Sequence, residues 1–175
     1  MFKKKKKKSS AFELLESIII AVLLALIIRF FLFEPFFIPS GSMEPTLQIG
    51  DKIIVNKIVY RFQEPKRGDI MVFKYPLDPA RDYIKRVIGL PGEKLEIKDS
   101  VIYINDQPIE EEYLPSNSNS ANFGPVNIPE NAYFMMGDNR NNSQDSRVWG
   151  TLPNNYIIGK ALAVFWPVNR IGVLK

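Results

Sequence analysis

The sequence predicts a mainly β protein: a folded-over antiparallel β-sheet domain preceded by one N-terminal transmembrane helix. Three observations carry this reading. A single strongly apolar run lies near the N-terminus, with Ile18 to Ile28 free of any polar residue. From Gly50 onward the chain breaks into short β-branched runs bounded by Gly, Pro and Asp. No segment after the apolar run repeats with the 3.6-residue period of a helix. The expected organisation is a basic cytoplasmic tail at 1–11, an anchor at 12–34 and a β domain at 35–175.

The tail concentrates the charge. The chain of 175 residues has 23 Lys and Arg against 19 Asp and Glu, and six of the lysines are Lys3 to Lys8. Without those six the acidic residues are in slight excess, which argues against a nucleic-acid-binding domain. Residues 17–33 as a helix reach about 25 Å, close to the lower limit for crossing a bilayer. Residues 12–15 can extend that span, Arg29 can snorkel toward headgroups at its far end, and Pro35 stops the helix. Lysines at the start set the N-terminus in the cytoplasm and the rest outside the cell membrane.

The β elements follow in order. Residues 51–57 and 69–75 read as strands, with 76–79 as a loop. A strand around Lys85 closes at Leu90-Pro91-Gly92-Glu93. Residues 94–98 and 101–104, parted by Asp99-Ser100, read as a hairpin, with Asn105-Asp106 as the next turn. Residues 110–127 are the least structured stretch, and 116–122 read as a small polar surface loop. Residues 133–136 form a strand into a polar run, and 157–167 form a closing strand. Trp149 and Trp166 read as core or membrane-facing aromatics.

Chemistry concentrates after the anchor. In Pro39-Ser40-Gly41-Ser42-Met43-Glu44-Pro45, a serine follows a glycine on a turn stiffened by prolines on both sides. The chain has no histidine and no cysteine, so Ser-His-Asp and Cys-His machinery are excluded. A nucleophilic Ser42 therefore needs another base. Lysine serves when burial lowers its pKa, and Lys85 sits in a β-rich run on one face with Tyr83 and Val87. The polar run from Gly137 to Arg147 is not an EF-hand, because Arg140 and Ser143 stand where a ligand and the glycine are required.

Four blocks stand in order: Pro39-Ser40-Gly41-Ser42-Met43-x-Pro45-Thr46-Leu47, Arg67-Gly68-Asp69-Ile70, Tyr83-Ile84-Lys85-Arg86, and Gly137-Asp138-Asn139-Arg140-x-x-Ser143-x-Asp145-Ser146-Arg147. Together they resemble the bacterial type I signal peptidases and span most of the chain. The resemblance implies a serine endopeptidase with a Ser42/Lys85 dyad, needing neither metal nor cofactor. It assigns the oxyanion hole to the Ser42 N–H and the Ser40 hydroxyl, and a lysine-orienting hydrogen bond to Ser143. It implies two braces, Asp145 with Arg147 and Asp138 with Arg86. The chain departs from the family at Asn141, where an acidic residue is common, and it lacks room for the extra β domain of larger members.

Within that resemblance the substrate is expected to add a β-strand between Phe36–Pro39 and Asp82–Ile84, passing Tyr83. Phe36, Ile38, Ile84, Met43 and Leu47 are expected to line two shallow apolar pockets. Small pockets imply cleavage after a small-x-small motif, at the end of the apolar segment of a secretory preprotein. The expected partners are preproteins, the lipid bilayer and the nearby export translocon. A removable signal peptide is disfavoured, since cleavage after Ser42 would destroy the first block. The alternatives are a non-catalytic tethered protein of the same fold and a self-cleaving Ser-Lys regulatory peptidase; the anchor, in place of a DNA-binding domain, argues against the latter.

Overall fold

The computed structural model describes residues 10–27, 33–115 and 118–174. Helix α1 (Ser10–Ile27) is 18 residues long and apolar on every side of its second half. Its Leu, Ile and Val side chains from Leu14 to Leu26 are exposed, and among the described residues nothing covers them. Among the described residues no helix is long and apolar enough to cross a membrane. The lysine run and Arg29 lie outside the described residues.

The remainder is antiparallel β. The strands are β1 (Phe33–Phe37), β2 (Lys52–Asn56), β3 (Ile70–Tyr75), β4 (Asp78–Gly89), β5 (Lys94–Lys98) and β6 (Val101–Ile104). They continue with β7 (Gln107–Pro108), β8 (Phe123–Asn127), β9 (Ala132–Met136), β10 (Leu152–Pro153), β11 (Ile157–Trp166) and β12 (Gly172–Val173). The larger sheet runs β1-β2-β11-β3-β4-β9-β10, with β12 beside β11, and the smaller runs β7-β6-β5-β8. A four-residue helix, α2 (Ser146–Trp149), packs near β9.

Period-two alternation divides the core. On β9, Phe134 and Met136 point into one cluster with Ile88, Leu95 and Ile97, while Tyr133 and Met135 point into another with Met71, Phe73 and Val87. A third cluster joins Ile53 and Val55 of β2 to Ile70, Val72, Ala161 and Val164. Burying such side chains contributes about 1.5–3 kcal/mol each. The large sheet is thereby packed on both faces around the segment that carries Lys85.

Three expectations need correction. Residues 33–37 form an edge strand paired with β2, so the sheet begins two residues before the expected end of the anchor. Pro35 is tolerated there because an edge strand leaves one row of backbone groups unpaired. Residues 76–79 are not a loop: Tyr75 pairs with Asp78, leaving a tight turn of Pro76 and Leu77. The stretch 110–127 contains β8, which pairs with β5.

Candidate active site

The Ser42 turn is built by its neighbours. Ile38 N–H donates to the Asp51 carbonyl at 2.9 Å and Gly50 N–H to the Ile38 carbonyl at 2.9 Å, clamping the ends of the intervening loop. Within it, Gly41–Met43 form one 3-10 turn closed by Glu44 N–H on the Gly41 carbonyl at 3.1 Å. Met43 and Leu47 are fully buried and anchor the turn in the core beneath. The loop after β9 holds it from above. Asn139 Nδ2 donates to the Gly41 carbonyl at 3.0 Å, and Asn139 N–H to the Ser42 carbonyl at 3.1 Å. A Cβ on Gly137 would lie 2.4 Å from that Ser42 carbonyl, so only glycine permits this approach.

Lys85 reaches the turn from β4, where it pairs with Met71 of β3. Its Nζ lies 2.7 Å from Ser42 Oγ and donates to the Ile84 carbonyl at 2.9 Å. Its residue exposure is 3%, and the Tyr83 ring centroid is 5.5 Å from Nζ. Tyr83 is stacked in turn on Tyr75, with Phe73 and Trp149 alongside. The Tyr83 ring is within cation–π reach of Nζ, but an aromatic wall returns only part of the hydration that a buried ammonium loses. Burial lowers the Lys85 pKa from 10.5 to about 8, against the attraction of Asp145 and Asp138, which raises it.

Those two carboxylates are held by arginines. Asp145 accepts from Arg147 Nε and Nη2, both at 2.8 Å, and from Gly137 N–H at 3.0 Å. Burial raises the Asp145 pKa, but Arg147 and the Gly137 N–H outweigh it and hold the carboxyl below the ordinary value. Asp138 accepts from Arg86 Nε at 2.9 Å and Nη2 at 2.7 Å, with both residues buried. Thr46 Oγ1 also donates to Asp138 at 2.5 Å, tying this pair to the Ser42 loop. The block Arg67-Gly68-Asp69-Ile70 supports the same strand: Arg86 Nη1 donates to the Gly68 carbonyl at 2.7 Å. Arg67 bonds the Ile88 carbonyl and pairs with Glu93 at 2.6 Å.

A cleft of about 360 Å³ opens at the dyad, lined by Pro39, Ser40, Ser42, Asp82, Tyr83, Ile84 and Lys85 among others. Ser40 is exposed at its rim. Three expectations differ. Ser143 Oγ makes no bond to Lys85; it lies buried beside Gly137 and close to Asp145, without a well-formed hydrogen bond of its own. The Ile84 carbonyl takes the orienting role expected of it. Met43 and Leu47 are core residues rather than pocket lining, and Ile38 is 2% exposed and belongs to the same cluster. Phe36 lines a neighbouring cavity instead.

Sequence reasoning missed Asn139, and also Asn142 and Gln144, which line the cleft. Glu111 was missed as well; it pairs with buried Arg140 and accepts from Tyr113, whose ring lies 3.8 Å from the Arg86 guanidinium. Among the described residues no cluster of three or more Asp or Glu side chains could hold a metal ion.

A serine hydroxyl in contact with a buried lysine amine thus lies at the mouth of a cleft on an antiparallel β domain. The chain belongs to the family described as signal peptidase, peptidase S26, which it matches over residues 11–166. It is 44% identical over 168 residues to a probable signal peptidase I-2 of a Synechocystis species, covering 93% of this chain and 76% of that one. It is also 44% identical to signal peptidase I T of Bacillus subtilis, covering 91% and 88%. A crystal structure of a signal peptidase I from Enterococcus faecalis aligns with a TM-score of 0.50 and 33% identity, over 56% of this chain and 97% of that one.

Proposed function

We propose that this chain is a membrane-anchored serine endopeptidase that removes signal peptides from secreted preproteins. The observation that carries the reading is the 2.7 Å contact between Lys85 Nζ and Ser42 Oγ in a buried setting. Neutral Lys85 takes the Ser42 proton as Oγ attacks the scissile carbonyl, and the resulting ammonium then protonates the leaving amine. Lys85, again neutral, removes a proton from the water that attacks the acyl-enzyme and returns it to Ser42 Oγ as the acyl bond breaks.

The Ser42 N–H and the Ser40 hydroxyl stabilise the oxyanion, each donor contributing about 3–4 kcal/mol at the transition state. Asn139 supports that role. It holds the Gly41 carbonyl on one side, and a trans peptide then aims the Ser42 N–H to the other. Asp138 and Asp145 are engaged by Arg86 and Arg147, which keeps Lys85 free of a direct carboxylate contact that would restore its charge.

The substrate enters as a strand between β1 and the free part of β4, with Ile84 bounding the pocket for small residues. Residues from 12 up to the start of β1 form the anchor, supported by the outward apolar side chains of α1 and the lysine run before it. That orientation puts the N-terminus in the cytoplasm and the β domain outside, near the export translocon. The test is cleavage of a purified preprotein in detergent micelles. Product ending in a small-x-small motif is expected from the parent chain and none from Ser42→Ala; equal processing by the two would refute the assignment.

A further inference from the structure

A second cavity of about 580 Å³ lies in the same trough, beyond the dyad cleft. Glu34, Phe36, Lys57, Arg61, Lys74 and Asp82 line it, and Asp82 borders both spaces. Strand register fixes where it sits. The Ser42 end of the trough is marked by Phe37, Lys52 and Arg86; the cavity lies at the opposite end, where Glu34 pairs with Val55 and Lys74 with Asp82.

A substrate strand reaching Ser42 from the membrane runs parallel to β1, because the chain's own apolar helix precedes β1 just as the substrate's apolar segment precedes its cut. Parallel extended chains advance together, so two residues of β1 correspond to two of the substrate. Taking residue −1, the last before the cut, as level with Ile38, where the chain enters the Ser42 loop, sets residue −3 level with Phe36 and residue −5 with Glu34. Side chains at −1, −3 and −5 share one face. The small pockets therefore continue into this larger space.

Its chemistry differs from theirs. Lys57 is engaged by Glu34 at 2.9 Å. Among the described residues no carboxylate pairs with Arg61 or Lys74; Lys74 Nζ has a long contact of 3.5 Å to the Pro79 carbonyl. Asp82 is the remaining carboxylate, at the border nearer Ser42. Two cations thus face the space against one anion.

We infer that this cavity is a distal substrate subsite that accepts the side chain at position −5 and favours an acidic one. The inference rests on the peptidase reading and deepens it. Partly exposed ion pairs of this kind correspond to about three- to fivefold each in an equilibrium or rate ratio.

The experiment measures kcat/KM for one peptide carrying Glu, Gln, Ala or Lys at −5, with the parent enzyme and with Arg61→Glu/Lys74→Glu. The parent is expected to prefer Glu over Lys by about five- to tenfold at low salt, with the ratio shrinking at high salt. The double variant should invert that ratio. Equal rates for the Glu and Lys peptides in both enzymes would overturn the subsite. So would rates that follow the anionic lipid content of mixed micelles regardless of residue −5, which would make the cavity a headgroup site. The Ala peptide separates the two levels: if the parent does not cut it, or Ser42→Ala cuts it equally, the peptidase reading itself fails.

Discussion

Replacing Lys85 with methionine should inactivate the enzyme and stabilise the fold at neutral pH. Methionine is close in length and removes the charge while keeping most of the packing. The lysine titrates at 10.5 when exposed and at about 8 in the folded protein. That difference corresponds to about 3 kcal/mol of differential interaction. Below pH 8 the folded state holds a buried ammonium and the full penalty applies. Between pH 8 and 10.5 the unfolded chain binds the extra proton, so stability of the parent rises with pH across that window.

Losing the hydrogen bonds to Ser42 and the Ile84 carbonyl offsets about 1 kcal/mol. The expected net gain for Lys85→Met at pH 7 is about 2 kcal/mol, or roughly 4–8 °C in Tm for a domain of this size. At pH 10 the gain should have largely vanished. Thermal unfolding by circular dichroism in detergent at both pH values measures it. A variant that melts no higher than the parent at pH 7, or differs from it equally at pH 7 and 10, would refute the reasoning.

Three further outcomes are expected. Asn139→Ala removes one of the two hydrogen bonds on the Gly41 carbonyl, leaving that from Glu44 N–H, and should lower kcat by about tenfold with little change in KM; steady-state kinetics that place the loss in KM would contradict the positioning role. Asp138→Asn leaves the Arg86 guanidinium buried without its charge partner, and should destabilise the fold by about 3 kcal/mol in denaturant titration. Ile84→Ala deepens the dyad cleft and should extend cleavage to larger residues at the small positions, read by mass spectrometry of products; unchanged selectivity would remove Ile84 from the pocket.

Ser42 and Lys85 were legible because the chemistry leaves few choices in a chain without histidine or cysteine, and alternation put Lys85 beside Tyr83 and Val87. Strands β2, β3, β4, β9 and β11 of the large sheet were legible for the same reason, since two-residue periodicity is local. Met43 and Leu47 were misread as pocket lining because a turn has no period, so sequence alone does not say which side faces the core. Pro35 and the Gly124-Pro125 pair hid β1 and β8, because residues that break central strands are tolerated where one edge is unpaired. Asn142 and Gln144 carried no pattern at all, and Asn139 stood in the fourth block without a role; their positions follow from how the loop after β9 folds over the Ser42 turn. Glu111 lay in the stretch read as least structured, and only its contact with Arg140 reveals it.

Activation of Ser42 by a buried neutral lysine is read out in the pH dependence of kcat/KM for a single signal-peptide substrate. With the Lys85 pKa at about 8, roughly a tenth of the enzyme is competent at pH 7, about 300-fold more than an exposed lysine would provide. Activity should climb about tenfold per pH unit at the acidic end, be half-maximal near pH 8, and be absent at every pH in Lys85→Arg. A profile already flat below pH 7, or Lys85→Arg retaining appreciable activity, would contradict it.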